Sequence, residues 1–173
     1  VKNVKAVVHP LQVEYGSKLD QVRHRSYSDF SDRKIRLLLL PGSRNSEVSD
    51  MLPILYKGAK LLQDEGFNIE TGIVKVETVK KFHYANEDYK IDNVWESNQL
   101  MDAFNWADIC FATSGTVTLA TGLFEIPTVV AYKLSMINEF ILKLLIPYDG
   151  PASLTNIIHD EMIFPEFLHY EAD

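Results

Sequence analysis

The sequence predicts an open α/β fold, a doubly wound parallel sheet with helices on both faces. Three observations carry that expectation. Short apolar runs alternate with amphipathic stretches from one end of the chain to the other. Several runs, LLLL at 37–40 and TVVAY at 128–132 among them, read apolar on both faces, as strands covered on both sides must. The stretches between them repeat apolar residues at three- and four-residue spacing, as crossover helices do.

The candidate strands are Val4–Val8, Ile35–Leu40, Ile69–Val74, Ile91–Trp95, Ile109–Ala112 and Thr128–Tyr132. The clearest helix runs from about Ser46 to Glu65, with Leu52, Leu55, Tyr56, Ala59 and Leu62 on one stripe and Gly66 closing it. Pro53 interrupts that pattern, so the regular helix is expected to begin later than Ser46. Ser97 is placed to cap a helix over Asn98–Trp106, and Ser114 or Gly115 to open one that runs through Phe124. Ser135–Leu145 reads as a further helix, stopped before Pro147. Leu11–Arg33, Lys75–Lys90 and Tyr148–Asp173 show no regular pattern, and the tail FPEFLHYEAD reads as either a short helix or a frayed end.

At 173 residues the chain is long enough for a single domain with a real core. Hydrophobic residues at 46% and charged residues at 24% are ordinary for a globular protein. The net charge of −7, from 17 basic and 24 acidic residues, argues against a nucleic-acid partner but leaves room for a local anion site. A single cysteine, Cys110, lies in the strand-like run ADICFAT and reads as a small core hydrophobe in a reducing cytoplasm. No run reaches the roughly 20 apolar residues of a membrane span. The start, VKNVKAVVHP, lacks an initiator Met and reads as an excised piece of a longer protein.

Two strand-to-helix junctions carry candidate chemistry. In LLLLPGSRNSEV, Gly42 lets a ligand approach the backbone, Ser43 offers a hydroxyl and Arg44 a planar fork of donors suited to phosphate. In ADICFATSGTVTLATGL, the run Thr113-Ser114-Gly115-Thr116 meets a helix start, where free N–H groups and the helix dipole favour an anion. Each also has a bland reading, as a plain turn with Arg44 in a surface ion pair and as ordinary N-capping. Neither is a Walker A loop, and no GxGxxG or GxSxG occurs. His9, His24, His83, His159 and His169 are scattered without metal-ligand spacing, so neither metal nor cofactor is expected.

Taken together in their order, LLPGSRNSEV, SGTVTLATGLFEIPTVVAYK and SLTNIIHDEMIFPEFLHYEA resemble lipid-A-disaccharide synthase, and VVHPL at 7–11 resembles the segment opening that family's second domain. The resemblance covers nearly the whole chain. It implies one Rossmann-like half of a GT-B glycosyltransferase, the C-terminal half that binds the donor nucleotide. The implied reaction is inverting and metal-free: UDP-2,3-diacylglucosamine and 2,3-diacylglucosamine 1-phosphate yield a β-1,6 disaccharide and UDP. By resemblance Arg44 meets the donor's phosphates, Ser114, Gly115 and Thr116 lie near the UDP, and Asn156 belongs to the active site. Glu166 matches a motif glutamate, and His169 stands where glutamine is usual. Ala120 replaces a glutamate that GT-B enzymes use on the ribose hydroxyls, and Thr155 replaces a proline.

The resemblance further implies that the acceptor site and general base belong to the N-terminal domain, so these 173 residues alone are expected to be inert. It implies a cytoplasmic protein, peripheral at the inner face of the cytoplasmic membrane because its substrates are lipids. Two alternatives stand beside it. One is another GT-B enzyme on UDP-N-acetylglucosamine, a MurG-like transferase or a 2-epimerase. The other is a non-catalytic sugar-nucleotide-binding fold, for which Ala120 is the argument.

Overall fold

The computed structural model describes residues 10–23, 33–84, 90–133, 151 and 153–168. The expected strand Val4–Val8, the expected helix Ser135–Leu145, His9 and His169 lie outside the described residues.

Six strands form one parallel sheet: β1 (Ile35–Leu40), β2 (Ile69–Lys75), β3 (Asn93–Glu96), β4 (Ile109–Thr113), β5 (Thr128–Tyr132) and β6 (Glu166–Leu168). Their order is β3-β2-β1-β4-β5-β6, with every neighbouring pair parallel. The helices are α1 (Pro10–Tyr15), α2 (Asn45–Asp64), α3 (Leu100–Trp106), α4 (Thr116–Leu123) and α5 (Leu154–His159). This is the Rossmann-like arrangement, with the strand order reversing between β1 and β4.

The four leucines of β1 show why both faces had to be apolar. Leu37 and Leu39 belong to one cluster with Val48, Met51, Leu52 and Leu55 of α2. Leu38 and Leu40 belong to the other, with Phe104 of α3, Cys110 of β4, Ala120 of α4 and the adjoining Phe124. All four are at most 5% exposed. Burying each such side chain is worth about 1.5–3 kcal/mol, so β1 is the sheet's anchor.

Four expectations need correction. Leu11–Arg33 is not wholly irregular, since α1 covers Pro10–Tyr15 and a 3-10 helix follows over Gly16–Gln21. α2 begins at Asn45 and carries Pro53 inside it. Pro53 is on the exposed side, where water can take the Ser49 carbonyl that proline leaves without an N–H. Ser97 does not cap a helix, because Ser97–Gln99 is a 3-10 turn entered from Glu96, whose N–H donates to Gln99 Oε1 at 3.1 Å. The C-terminal stretch is not irregular either. Ser153 Oγ accepts the Asn156 N–H at 3.3 Å and opens α5, and the chain returns to pair β6 against β5, with the Val130 N–H donating to the Pro165 carbonyl at 2.9 Å. A three-residue strand is too short to show a period. The expected end of α2 holds: Gly66 N–H donates to the Gln63 carbonyl and Phe67 N–H to that of Leu62, the paired bonds of a Schellman motif.

Candidate functional site

β1 and β4 lie side by side, with Leu40 opposite Ala112. The chain leaves β1 into α2, packed with one cluster, and leaves β4 into α4, packed with the other. The two junctions therefore part company at the carboxyl edge and leave a crevice between them, at the switch point where open α/β sheets take ligands. The cleft measures about 530 Å³ and brings together Gly42, Ser43, Arg44, Ser114, Gly115 and Thr116. Thr113, Glu47, Val74 and Val76 also line it, and α5 contributes Leu154.

At the first junction Gly42 has φ 111°, a conformation glycine adopts freely and other residues resist. A Cβ there would sit 2.7 Å from both Cβ and Oε2 of Glu47 and 3.2 Å from Thr113 Cγ2. Glu47 Oε2 accepts the Ser43 N–H at 2.9 Å and the Arg44 N–H at 3.2 Å, while Oε1 accepts the Arg44 guanidinium. Glu47 thus occupies the backbone N–H groups of the turn where Gly42 was expected to let a ligand approach. The signal was present, since an acidic residue three positions after an N-cap commonly bonds back to it. Arg44 itself remains open, its side chain 77% exposed against 22% for Glu47.

The second junction is built differently. Gly115, at φ 157° and ψ −168°, takes the N-cap position of α4 and has no side chain with which to cap it. The Thr118 N–H and hydroxyl both donate to the Gly115 carbonyl, at 3.2 and 2.8 Å, and so close the first turn from its carbonyl side. The positive end of α4 faces the cleft without a side-chain cap. Just before it, Thr113 is 3% exposed, and its hydroxyl has no hydrogen-bond partner among the described residues.

Asn156 and Glu166 are brought together, but not at the cleft lining. Asn156 is fully buried. Its Oδ1 accepts the N–H groups of Ile163 and Phe164, both at 2.9 Å. Its Nδ2 donates to the Phe164 carbonyl at 2.8 Å and to Glu166 Oε1 at 2.6 Å, with Met162 Sδ at 3.2 Å. An amide has two donors and two acceptor sites, and this one has used all four. The same Glu166 oxygen accepts the Ser153 N–H at 2.9 Å. These bonds tie α5 to β6 and hold the segment that delivers Leu154 to the cleft. Thr155 adds a tie to α4, its hydroxyl donating to the Thr118 carbonyl at 2.9 Å.

Ala120 is 2% exposed, lies in the apolar cluster with Phe104 and Phe124, and is not among the residues lining the cleft. Among the described residues no group of three or more His, Cys, Asp or Glu could hold a metal ion, and no helix is long and apolar enough to cross a membrane.

A family model described as lipid-A-disaccharide synthetase matches residues 2–173. The lipid-A-disaccharide synthase of Nitrosococcus oceani is 33% identical over 171 residues, covering 98% of this chain and 44% of that protein. Lipid-A-disaccharide synthase of Francisella tularensis subsp. novicida is 30% identical over 167 residues, covering 94% of this chain and 44% of the relative. The chain spans under half the length of these relatives. With a parallel sheet of this order, a cleft at its switch point and a match across nearly every residue, the chain belongs to the lipid-A-disaccharide synthetase family.

Proposed function

We propose that this chain is the donor-nucleotide half of an inverting glycosyltransferase of lipid A biosynthesis. Its donor is UDP-2,3-diacylglucosamine and its acceptor 2,3-diacylglucosamine 1-phosphate, joined β-1,6 with release of UDP. The observation that carries this reading is the uncapped end of α4, open to a cleft that also holds an exposed Arg44. The diphosphate lies against the turn Ser114-Gly115-Thr116, with Arg44 across from it. As the bond to the sugar breaks, negative charge grows on the departing UDP. Fixed N–H dipoles and a guanidinium aimed at that charge stabilise it more in the transition state than in the ground state.

Asn156 and Glu166 act one step removed, by holding Leu154 against the cleft. His169 joins the donor site in this reading by resemblance alone. The acceptor site and the general base come from the other half of a longer protein, so the chain binds donor but does not turn it over. Lipid substrates make a cytoplasmic protein, peripheral at the inner membrane face, part of the same proposal.

Calorimetric titration of the chain with UDP, ADP and orthophosphate, on wild type and Arg44→Ala, tests it. UDP should bind ahead of ADP, and Arg44→Ala should weaken UDP by about 1.5–3 kcal/mol, the worth of a hydrogen bond to a charged group. Equal affinity for UDP and ADP would sink the uridine donor, and an unchanged Arg44→Ala would remove Arg44 from the site.

A further inference from the structure

We infer that Thr113 is a donor-positioning residue, its hydroxyl donating to a phosphoryl oxygen of the bound diphosphate. The inference rests on the donor-site reading above and adds to it a side chain from the sheet itself. Six threonines are buried: Thr71, Thr113, Thr118, Thr121, Thr128 and Thr155. Five of them place their hydroxyls on protein acceptors. Thr71 donates to the Lys90 carbonyl and Asp92, Thr118 to Gly115, Thr121 and Thr155 to Thr118, and Thr128 to Ile126. Thr113 alone among them leaves its Oγ1 without a partner. A buried hydroxyl in that state is costly, and native structures keep few of them without a reason.

Its place supplies the reason. Thr113 is the last residue of β4, opposite Ala131 of β5, and the turn into α4 begins at the next residue. Its Cγ2 lies 3.2 Å from where a Cβ on Gly42 would be, so it sits between the two junctions at the base of the cleft. Thr113 lines the same cleft as the start of α4, and a phosphoryl oxygen seated on that helix end is the kind of acceptor that a buried hydroxyl without a partner can take. Packing alone needs no hydroxyl here. Valine has the same branched shape and suits the strand as well.

The test compares wild type, Thr113→Val and Thr113→Ser by calorimetric titration with UDP and with uridine, together with thermal unfolding of the ligand-free chain. Thr113→Val should raise the Kd for UDP by on the order of tenfold to a hundredfold. It should leave uridine binding unchanged, and ligand-free unfolding should occur at the same or a higher temperature. Thr113→Ser, which keeps the hydroxyl, should restore most of the UDP affinity. If Thr113→Val binds UDP like wild type while Arg44→Ala does not, this inference is overturned and the donor site stands. A lower unfolding temperature for ligand-free Thr113→Val would show that the hydroxyl already has a partner in the fold, and would overturn it too. Equal losses for UDP and uridine would move the contact to the nucleoside and refute the phosphoryl assignment. Wild type that binds no UDP would overturn the donor reading and this inference with it.

Discussion

Asn156→Ala separates a residue that touches ligand from one that holds the fold. The amide is fully buried and makes four hydrogen bonds. Truncation to alanine leaves the Ile163 and Phe164 N–H groups without their acceptor, and removes one donor each from the Phe164 carbonyl and Glu166. A buried N–H left unmade costs about 1–3 kcal/mol, and each lost neutral bond about 1 kcal/mol. Allowing for partial relaxation, the expected loss is about 3–5 kcal/mol, a large part of a domain stability of roughly 5–15 kcal/mol. Equilibrium unfolding in urea, followed by circular dichroism, reads this directly. A double-mutant cycle with Glu166→Ala should show coupling of about 1 kcal/mol or more, because the two side chains meet at 2.6 Å. The reasoning fails if Asn156→Ala costs under about 1 kcal/mol while UDP affinity collapses. That result would mean the amide turns outward to the ligand and its internal bonds are dispensable.

Two further outcomes follow from the same geometry. Gly42→Ala should cost about 2–4 kcal/mol in urea unfolding, from backbone strain at φ 111° plus a Cβ 2.7 Å from Glu47. Gly115→Ala, strained in backbone but with open space around its Cβ, should cost only about 1–2 kcal/mol, and equal values would undo the steric argument. Burial raises the Tyr84 phenol above its ordinary value of 10, and its oxygen accepts the Val76 N–H at 3.0 Å. A pKa raised on folding gives stability that is full below about pH 10 and lost as pH climbs through the folded value. Stability should therefore fall above about pH 10, and Tyr84→Phe should flatten that fall while costing about 1 kcal/mol at neutral pH.

How much of this was legible in the sequence differs by residue. The leucines of β1 announced a strand covered on both faces, because no amphipathic element would spend four large apolar side chains in a row. Gly42 and Gly115 announced turns, since each follows an apolar run and precedes a helical stripe. That the two turns share one cleft was not legible, because adjacency of β1 and β4 is a property of the strand order and not of either segment. β6 escaped notice because three residues carry no period, and its place is set by partners in β5 and α5. Gly72 likewise reads as an ordinary strand residue, yet a Cβ there would lie 2.6 Å from Trp95 and 2.7 Å from Trp106, so the tilted indole pair requires it. Asn156 was picked out by motif, but only the structure shows a fully spent amide. Thr113 entered the sequence reading only as the first residue of the second turn, since what sets it apart, a missing partner, is not written in the sequence.

On the donor-site reading proposed above, the contrast between the two junctions also accounts for a diphosphate site on a chain of net charge −7. Two helix N-termini reach the cleft, and their dipoles could have shared an anion equally. Instead the start of α2 is already occupied by the Glu47 carboxylate, seated on two backbone N–H groups. A phosphate pressed against that turn would meet a like charge, so the attraction is concentrated on α4. Arg44 is then the part of the first junction left to serve the ligand. Its exposed pair with Glu47 is worth about 0–1 kcal/mol, whereas a charge-assisted bond to phosphate is worth about 1.5–3 kcal/mol. Exchanging one for the other favours binding by roughly 1–2 kcal/mol. On that arithmetic Glu47 gives the turn its shape and parks the guanidinium beside the cleft, and the proposed diphosphate site falls on α4.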